Sequence, residues 1–355
     1  MPHAALLTYV RVRNMLSGYH GSPPLLIAPL AGLETNLARR LPFSVGSHIH
    51  RRQPRALARA AKLAATSDVV VLGLGLCGNN YGVDSDAVCD GRVDEAESHD
   101  RSSIALPPAQ LELARHVVDA LAARPSTAQL IVFIMAAGSV DVLPLLKMCD
   151  EVAPRVKLAL LWAGYPGEFG GQGIADVITG THDPASVLPF TLYPESLASQ
   201  VRFTDFSLRS WPGRTYKFFS LAAVFPFGHG LSYGRFDVSW AVAPPREAGP
   251  GEVLEYKVLV TNTGATKGDK VLLAYFVPAR DDGAAPLRQV FAFRRAREIA
   301  PGASVVVQLQ LAEQGRTLWR ENGTPYVPSG GHSVMIGQGV EALIAPLNIQ
   351  SGHIL

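Results

Sequence analysis

The apolar positions along this chain change period near its middle. From about Ala56 to Tyr193, short wholly apolar runs alternate with amphipathic ones. Residues 68–76 (DVVVLGLGL), 129–136 (QLIVFIMA) and 157–163 (KLALLWA) predict buried strands, and 188–193 predicts a fourth. Between them, residues 107–123 put Leu111, Ala114, Val118 and Leu121 on one helical face, and 140–148 and 168–179 predict shorter helices. Strands without a polar face are covered on both sides, so the pattern predicts an α/β sandwich, a mostly parallel sheet flanked by helices.

From about Phe236 the period becomes two. Leu254, Tyr256, Val258 and Val260 alternate with Glu255, Lys257 and Thr261, and Val305, Val307, Leu309 and Leu311 alternate with Gln308 and Gln310. Turn clusters at Asn262-Thr263-Gly264, Asp281-Asp282-Gly283, Pro301-Gly302 and Ser329-Gly330-Gly331 break these runs. Roughly seven short strands in about 110 residues predict an all-β sandwich of immunoglobulin or fibronectin III type. Thr266-Lys267-Gly268-Asp269 reads as a hairpin turn, because the GxxxxGK[ST] phosphate loop is not met. The expected organisation is an α/β sandwich over 1–200, linker and docking loops over 201–235, and the β-sandwich over 236–350.

Composition narrows the function. A chain of 355 residues, 48% hydrophobic and 17% charged, is long enough for two globular cores. A net charge of +2 points to neither nucleic acid nor a membrane surface. The basic run Arg51, Arg52, Arg55, Arg59 and Lys62 shares its segment with Leu57, Ala60, Ala61 and Ala64, so it reads as the solvent face of an amphipathic helix. No apolar run is long enough to span a membrane, and Met1 to Asn14 lacks a signal peptide's apolar block. Cys77, Cys89 and Cys149 have no zinc spacing, although a Cys77–Cys89 bridge would close a loop in an oxidising compartment. Asn322-Gly323-Thr324 is a lone glycosylation sequon.

Gly73-Leu74-Gly75-Leu76-Cys77-Gly78 matches GxGxxG after a strand. A dinucleotide site needs a helix to begin there, and the acidic, turn-forming Asn79 to Asp86 follows instead. No cofactor or metal is expected. The chemistry lies in Val93-Asp94-Glu95-Ala96-Glu97-Ser98-His99-Asp100-Arg101, between the first apolar strand and the helix opening at Leu106-Pro107. Ligands of parallel sheets bind outside the carboxyl ends of the strands, where this loop falls. Glu95 and Glu97 there suit general acid–base work on a polar substrate. A merely solvated acidic loop is the plainer alternative.

These residues together resemble glycoside hydrolase family 3, in particular its plant β-xylosidase/α-arabinofuranosidase branch. Tyr19-His20-Gly21 with Pro29 to Leu33, Glu95-Ala96-Glu97 with Asp100-Arg101, and Leu161 to Glu168 with Gly170-Gly171 carry the likeness. So do Gly213-Arg214-Thr215-Tyr216, Phe225 to Tyr233, and Val260 to Gly264, the last similar to a fibronectin III-like domain. The resemblance implies a retaining exo-glycosidase that breaks down xylan and related cell-wall polysaccharide in the extracellular space or cell wall, with xylo- or arabino-oligosaccharide as its partner. It implies Glu95 as acid/base, with Glu97 as the alternative, and a nucleophilic Asp on a TIM barrel. A barrel takes roughly 250 residues and only about 15 precede the matching region, so a missing or separate barrel domain is expected. The chain alone would then be inactive or nearly so. A non-catalytic carbohydrate-binding or interaction protein of the same ancestry is the alternative. Two departures stand out: Cys77 to Asp94 forms a long insert before Glu95, and His229 occupies a position where the family commonly has Tyr.

Overall fold

The computed structural model describes residues 4–8, 15–16, 21–78, 92–96, 101–279 and 285–350. They form two compact units, Met1–His182 with Leu192–Ser199, and Asp183–Thr191 with Gln200–Leu355.

The first unit is built on a five-stranded sheet of order β2-β1-β3-β4-β5, parallel throughout. Its strands are β1 (Ala4–Thr8), β2 (Phe43–Ser44), β3 (Val69–Gly75), β4 (Ala128–Met135) and β5 (Val156–Trp162). Side chains alternate faces along a strand. Val71 and Phe133 therefore meet Leu33 of α1 (Pro29–Leu37) and Ile174 and Ala175 of α5 (Gly170–Thr179) in one core. Val70, Leu72 and Val132, all fully buried, point to the other face, where α2 (Pro54–Ala65) and α3 (Pro108–Ala122) lie. A fourth helix, α4 (Leu143–Asp150), packs beside α3. Arg55, Arg59 and Lys62 are exposed on α2 while Leu57, Ala60 and Ala64 are buried, as the amphipathic pattern predicts. No described helix is long and apolar enough to cross a membrane.

The expected strand at 188–193 does not form. Pro189 lacks the N–H a ladder needs. Leu188 instead exchanges backbone hydrogen bonds with the 228–229 turn, donating to His229 O at 2.8 Å and accepting from Gly228 N at 2.8 Å. The sheet is extended beyond β3 by β1 and β2 instead, which are too short to show a period.

The second unit encloses one core between two sheets, ordered β10-β9-β14-β15-β7 and β11-β8-β6. These are β6 (Phe236–Trp240), β7 (Glu247–Ala248), β8 (Leu254–Asn262), β9 (Gly268–Val277), β10 (Gln289–Ile299), β11 (Ser304–Leu311), β14 (Gly330–Ile336) and β15 (Leu343–Ile349). A short ribbon, β12 (Leu318–Trp319) with β13 (Pro325–Tyr326), completes it. Tyr256, Val258 and Val260 of β8 are fully buried, as the alternation predicts. On β11 the buried set begins at Val307, since Val305 is 38% exposed. The turn at 263–267 is a crossover between sheets and not a hairpin, because β8 pairs with β11 and β6 whereas β9 pairs with β10 and β14. Buried Asn262 holds it: Nδ2 donates to Thr266 O (2.8 Å) and Ile299 O (2.7 Å), and Oδ1 accepts from Gly264 N (2.9 Å).

In the first unit α1 and α5 touch backbone to backbone. A methyl group on Gly171 would overlap the main chain of Ile27 and Ala28. Gly171→Ala is therefore expected to destabilise the first unit by about 1–3 kcal/mol, through overpacking against atoms that cannot rotate away. Urea unfolding checks this; a midpoint equal to the parent's would show that the two helices can separate freely.

Candidate active site

The C-terminal ends of β3, β4 and β5 lie side by side, and one carboxylate joins them. Just past β3, the backbone N–H groups of Asp94 and Glu95 both donate to Cys77 O, at 2.9 and 3.1 Å, returning the acidic loop to the strand end. Glu95 Oε2 accepts from Ala137 N at 2.7 Å, and Oε1 from Gly138 N at 3.1 Å, both just after β4. Tyr165, just after β5, donates its hydroxyl to Glu95 Oε2 at 2.6 Å. Arg101 sets Nη2 3.4 Å from Glu95 Oε1 and donates it to Ser139 O at 2.9 Å. The Glu95 side chain is about 10% exposed. Its neighbour Asp94 points elsewhere, accepting at Oδ2 from Cys77 N (2.9 Å) and meeting His50 Nε2 (3.0 Å).

Adjacent carboxylates thus go to separate sets of donors. Glu97, the alternative acid/base, lies outside the described residues, as does Cys89. Cys77 is disulfide-bonded, and Cys149 is free and buried. Burial, helped by the charge of Asp150, pushes the Cys149 thiol up to about 11, so it is protonated and unreactive at neutral pH. Burial, followed by the charge of Glu95, pushes the Tyr165 hydroxyl well above the usual phenol range. It remains a donor.

Three amides of the glycine motif at 73–78 are already engaged. Buried Gln110 accepts from Gly75 N at 2.8 Å and donates to Gly75 O at 2.6 Å; Leu76 N donates to Met135 O and Cys77 N to Asp94. Among the described residues no group of His, Cys, Asp and Glu could hold a metal.

The sequence marks Glu95 and Arg101 but gives no sign of His50, or of the Ala137 and Gly138 amides, which any residue but proline supplies. Tyr165 is visible only as part of the Leu161 to Glu168 motif. Glu168 precedes α5 and, with Leu16, Gly21, Ser22 and Pro23, lines a separate open cavity of about 300 Å³. Asp176 ties α5 to α1 by accepting from Asn36 (2.8 Å) and Gln172 (2.7 Å), and these bonds hold its carboxyl below the usual range.

The first unit is thus a parallel α/β unit with an acidic loop on its strand ends, and comparisons with known proteins specify its family. The Glycosyl hydrolase family 3 C-terminal domain matches residues 2–233, and the chain belongs to that family. It is 32% identical, over 93% of its length, to a probable exo-1,4-beta-xylosidase of Neosartorya fischeri, of which it spans 42%. It is 35% identical, over 65% of its length, to beta-xylosidase/alpha-L-arabinofuranosidase 2 of Medicago sativa subsp. varia, spanning 27% of that protein. A solved GH3 exo-beta-xylosidase in complex with a xylobiose aziridine probe superposes with a TM-score of 0.81 at 25% identity, over 98% of this chain and 45% of the other. The chain thus spans less than half the length of these relatives.

Removing the Tyr165 hydroxyl isolates one of the Glu95 contacts. Tyr165→Phe is expected to cost about 1.5–3 kcal/mol at pH 7, the range for a hydrogen bond to a charged group. The folded-state value of Tyr165 is raised above its ordinary 10.0, so its contribution is complete below pH 10 and falls as pH rises past it, where the unfolded chain ionises first. The stability gap between parent and variant should therefore narrow above pH 10 in urea titrations; a gap that widens there would refute the assignment.

Proposed function

We propose that this chain supplies the general acid/base half of a retaining exo-glycosidase acting on β-xylosides or α-arabinosides of cell-wall polysaccharide. The observation that carries the reading is the acidic loop tied to the ends of three parallel strands, with Glu95 held at defined distances from Ala137, Gly138 and Tyr165. Retaining hydrolysis needs two carboxyl groups about 5–5.5 Å apart, one nucleophilic and one protonating the leaving oxygen. Among the described residues no second carboxylate faces Glu95 in this way, since Asp94 is occupied by His50 and Cys77. The nucleophile is then an Asp of a TIM barrel outside these residues. Glu95 protonates the glycosidic oxygen and, once the sugar is bound covalently to that Asp, takes a proton from water; Glu97 is the alternative donor.

The second unit, with its two sheets around one core, reads as a fibronectin III-like domain. The disulfide at Cys77 supports an oxidising, extracellular setting. A second reading draws on Glu95 itself. Its oxygens already accept three hydrogen bonds, which take up most of a carboxylate's roughly four acceptor sites. That suits a unit that binds carbohydrate without cleaving it.

Two assays separate the readings. The 355 residues alone are expected to release no 4-nitrophenol from its β-xyloside; turnover lost in Glu95→Gln would place both carboxylates within this chain. Joined to a family 3 barrel, Glu95→Gln should lower kcat on xylobiose by about 10²–10⁴-fold. Loss in Glu97→Gln alone would move the donor to Glu97, and loss in neither would favour carbohydrate binding without catalysis.

A further inference from the structure

The second unit buries a cation that pairs with no anion among the described residues. Arg316 ends the short helix Glu313–Arg316 and is 0% exposed, the largest fully buried side chain among the described residues. Its Nη2 donates to Gly249 O at 3.0 Å, while Nε and Nη1 are buried without partners. Tyr256, also 0% exposed, stands on β8 between Trp240 and Phe291, with ring centroids 6.0 and 6.2 Å away, and its hydroxyl too is buried without a partner. Phe291 links the two: a methyl group on Gly315, the residue before Arg316, would lie 2.8 Å from Phe291 Cβ, and the Phe291 ring is 6.2 Å from that of Tyr256. Burial pushes the Tyr256 hydroxyl up, and the Arg316 charge pulls it down.

A guanidinium does not shed its charge in a protein, and an uncompensated one in an apolar interior is strongly disfavoured. Two partly buried arginines of the first unit are compensated. Arg101 and Arg124 each leave one nitrogen unpartnered, but each also faces a carboxylate, Glu95 or Asp68. Among the described residues no carboxylate pairs with Arg316; Glu313, one turn earlier, accepts from Gly251 N at 2.7 Å. What remains is donor-rich: Nε–H and Nη1–H can only donate, and the phenol donates as readily as it accepts. A water there would bring two hydrogens needing acceptors of their own. A small monovalent anion brings only acceptor capacity, together with the missing charge.

We infer that Arg316 and Tyr256 form a buried halide site inside the second unit, with chloride as its ordinary occupant. The site is structural, lies in a different unit from Glu95, and stands whether or not the catalytic reading does.

Thermal unfolding of the full chain tests it, with sodium chloride replaced stepwise by sodium gluconate at constant ionic strength. Chloride should raise the midpoint by roughly 2–4 °C and then saturate. Arg316→Met should abolish the response and Tyr256→Phe should weaken it. Equal midpoints in the two salts, or an undiminished response in Arg316→Met, would overturn the inference. Should Arg316→Met not fold, crystals of the parent grown in bromide decide: an anomalous peak within hydrogen-bonding reach of Arg316 Nε supports the site, and an ordered water without anomalous signal refutes it.

Discussion

The site depends on a single carboxylate past the end of one strand accepting from the loops that follow the next two. Parallel strands bring their C-terminal ends to one edge, and each loop that leaves there is free to go its own way. Glu95 removes that freedom by binding Ala137 N, Gly138 N and Tyr165 Oη. Each such bond to an ionised group contributes about 1.5–3 kcal/mol. An exposed pair such as Arg40–Glu34, whose arginine side chain is 94% exposed, contributes about 0–1 kcal/mol. The buried acceptor therefore decides where the loop sits, and the surface charges do not. The same geometry explains the tension at the site: what fixes Glu95 in place also occupies it.

The first unit's central sheet was legible because its strands are uniformly apolar and β-branched. β3, β4 and β5 lie within a residue of the expected runs, with α3 and α5 between and after them. Length set the limit of that reading. Phe43–Ser44 has two residues and no period, and 188–193 has the right composition but backbone groups already bonded elsewhere. In the second unit the alternation on β8 was clear, yet sequence could not show that β8 and β9 belong to different sheets. That distinction rests on Asn262, whose side chain closes the crossover.

At the site, the charged residues were legible and their partners were not. Acidic residues are rare enough in apolar surroundings to attract notice. A main-chain amide leaves no mark in a sequence, and His50 is 44 positions from the Asp94 it meets. Arg316 was equally silent. Nothing around Glu313-Gln314-Gly315-Arg316 separates it from a solvated turn, and only its complete burial shows otherwise.

That two of the groups holding Glu95 are peptide amides has a consequence for how the site withstands divergence. Ala137 and Gly138 can be exchanged for most other residues without deleting a donor, so the turn after β4 is under little chemical constraint as to residue type. Proline alone would silence an amide there, and bulk is limited only where a side chain at 138 would press on Arg101. Drift can thus rewrite that turn almost completely while the acid loop stays where it is.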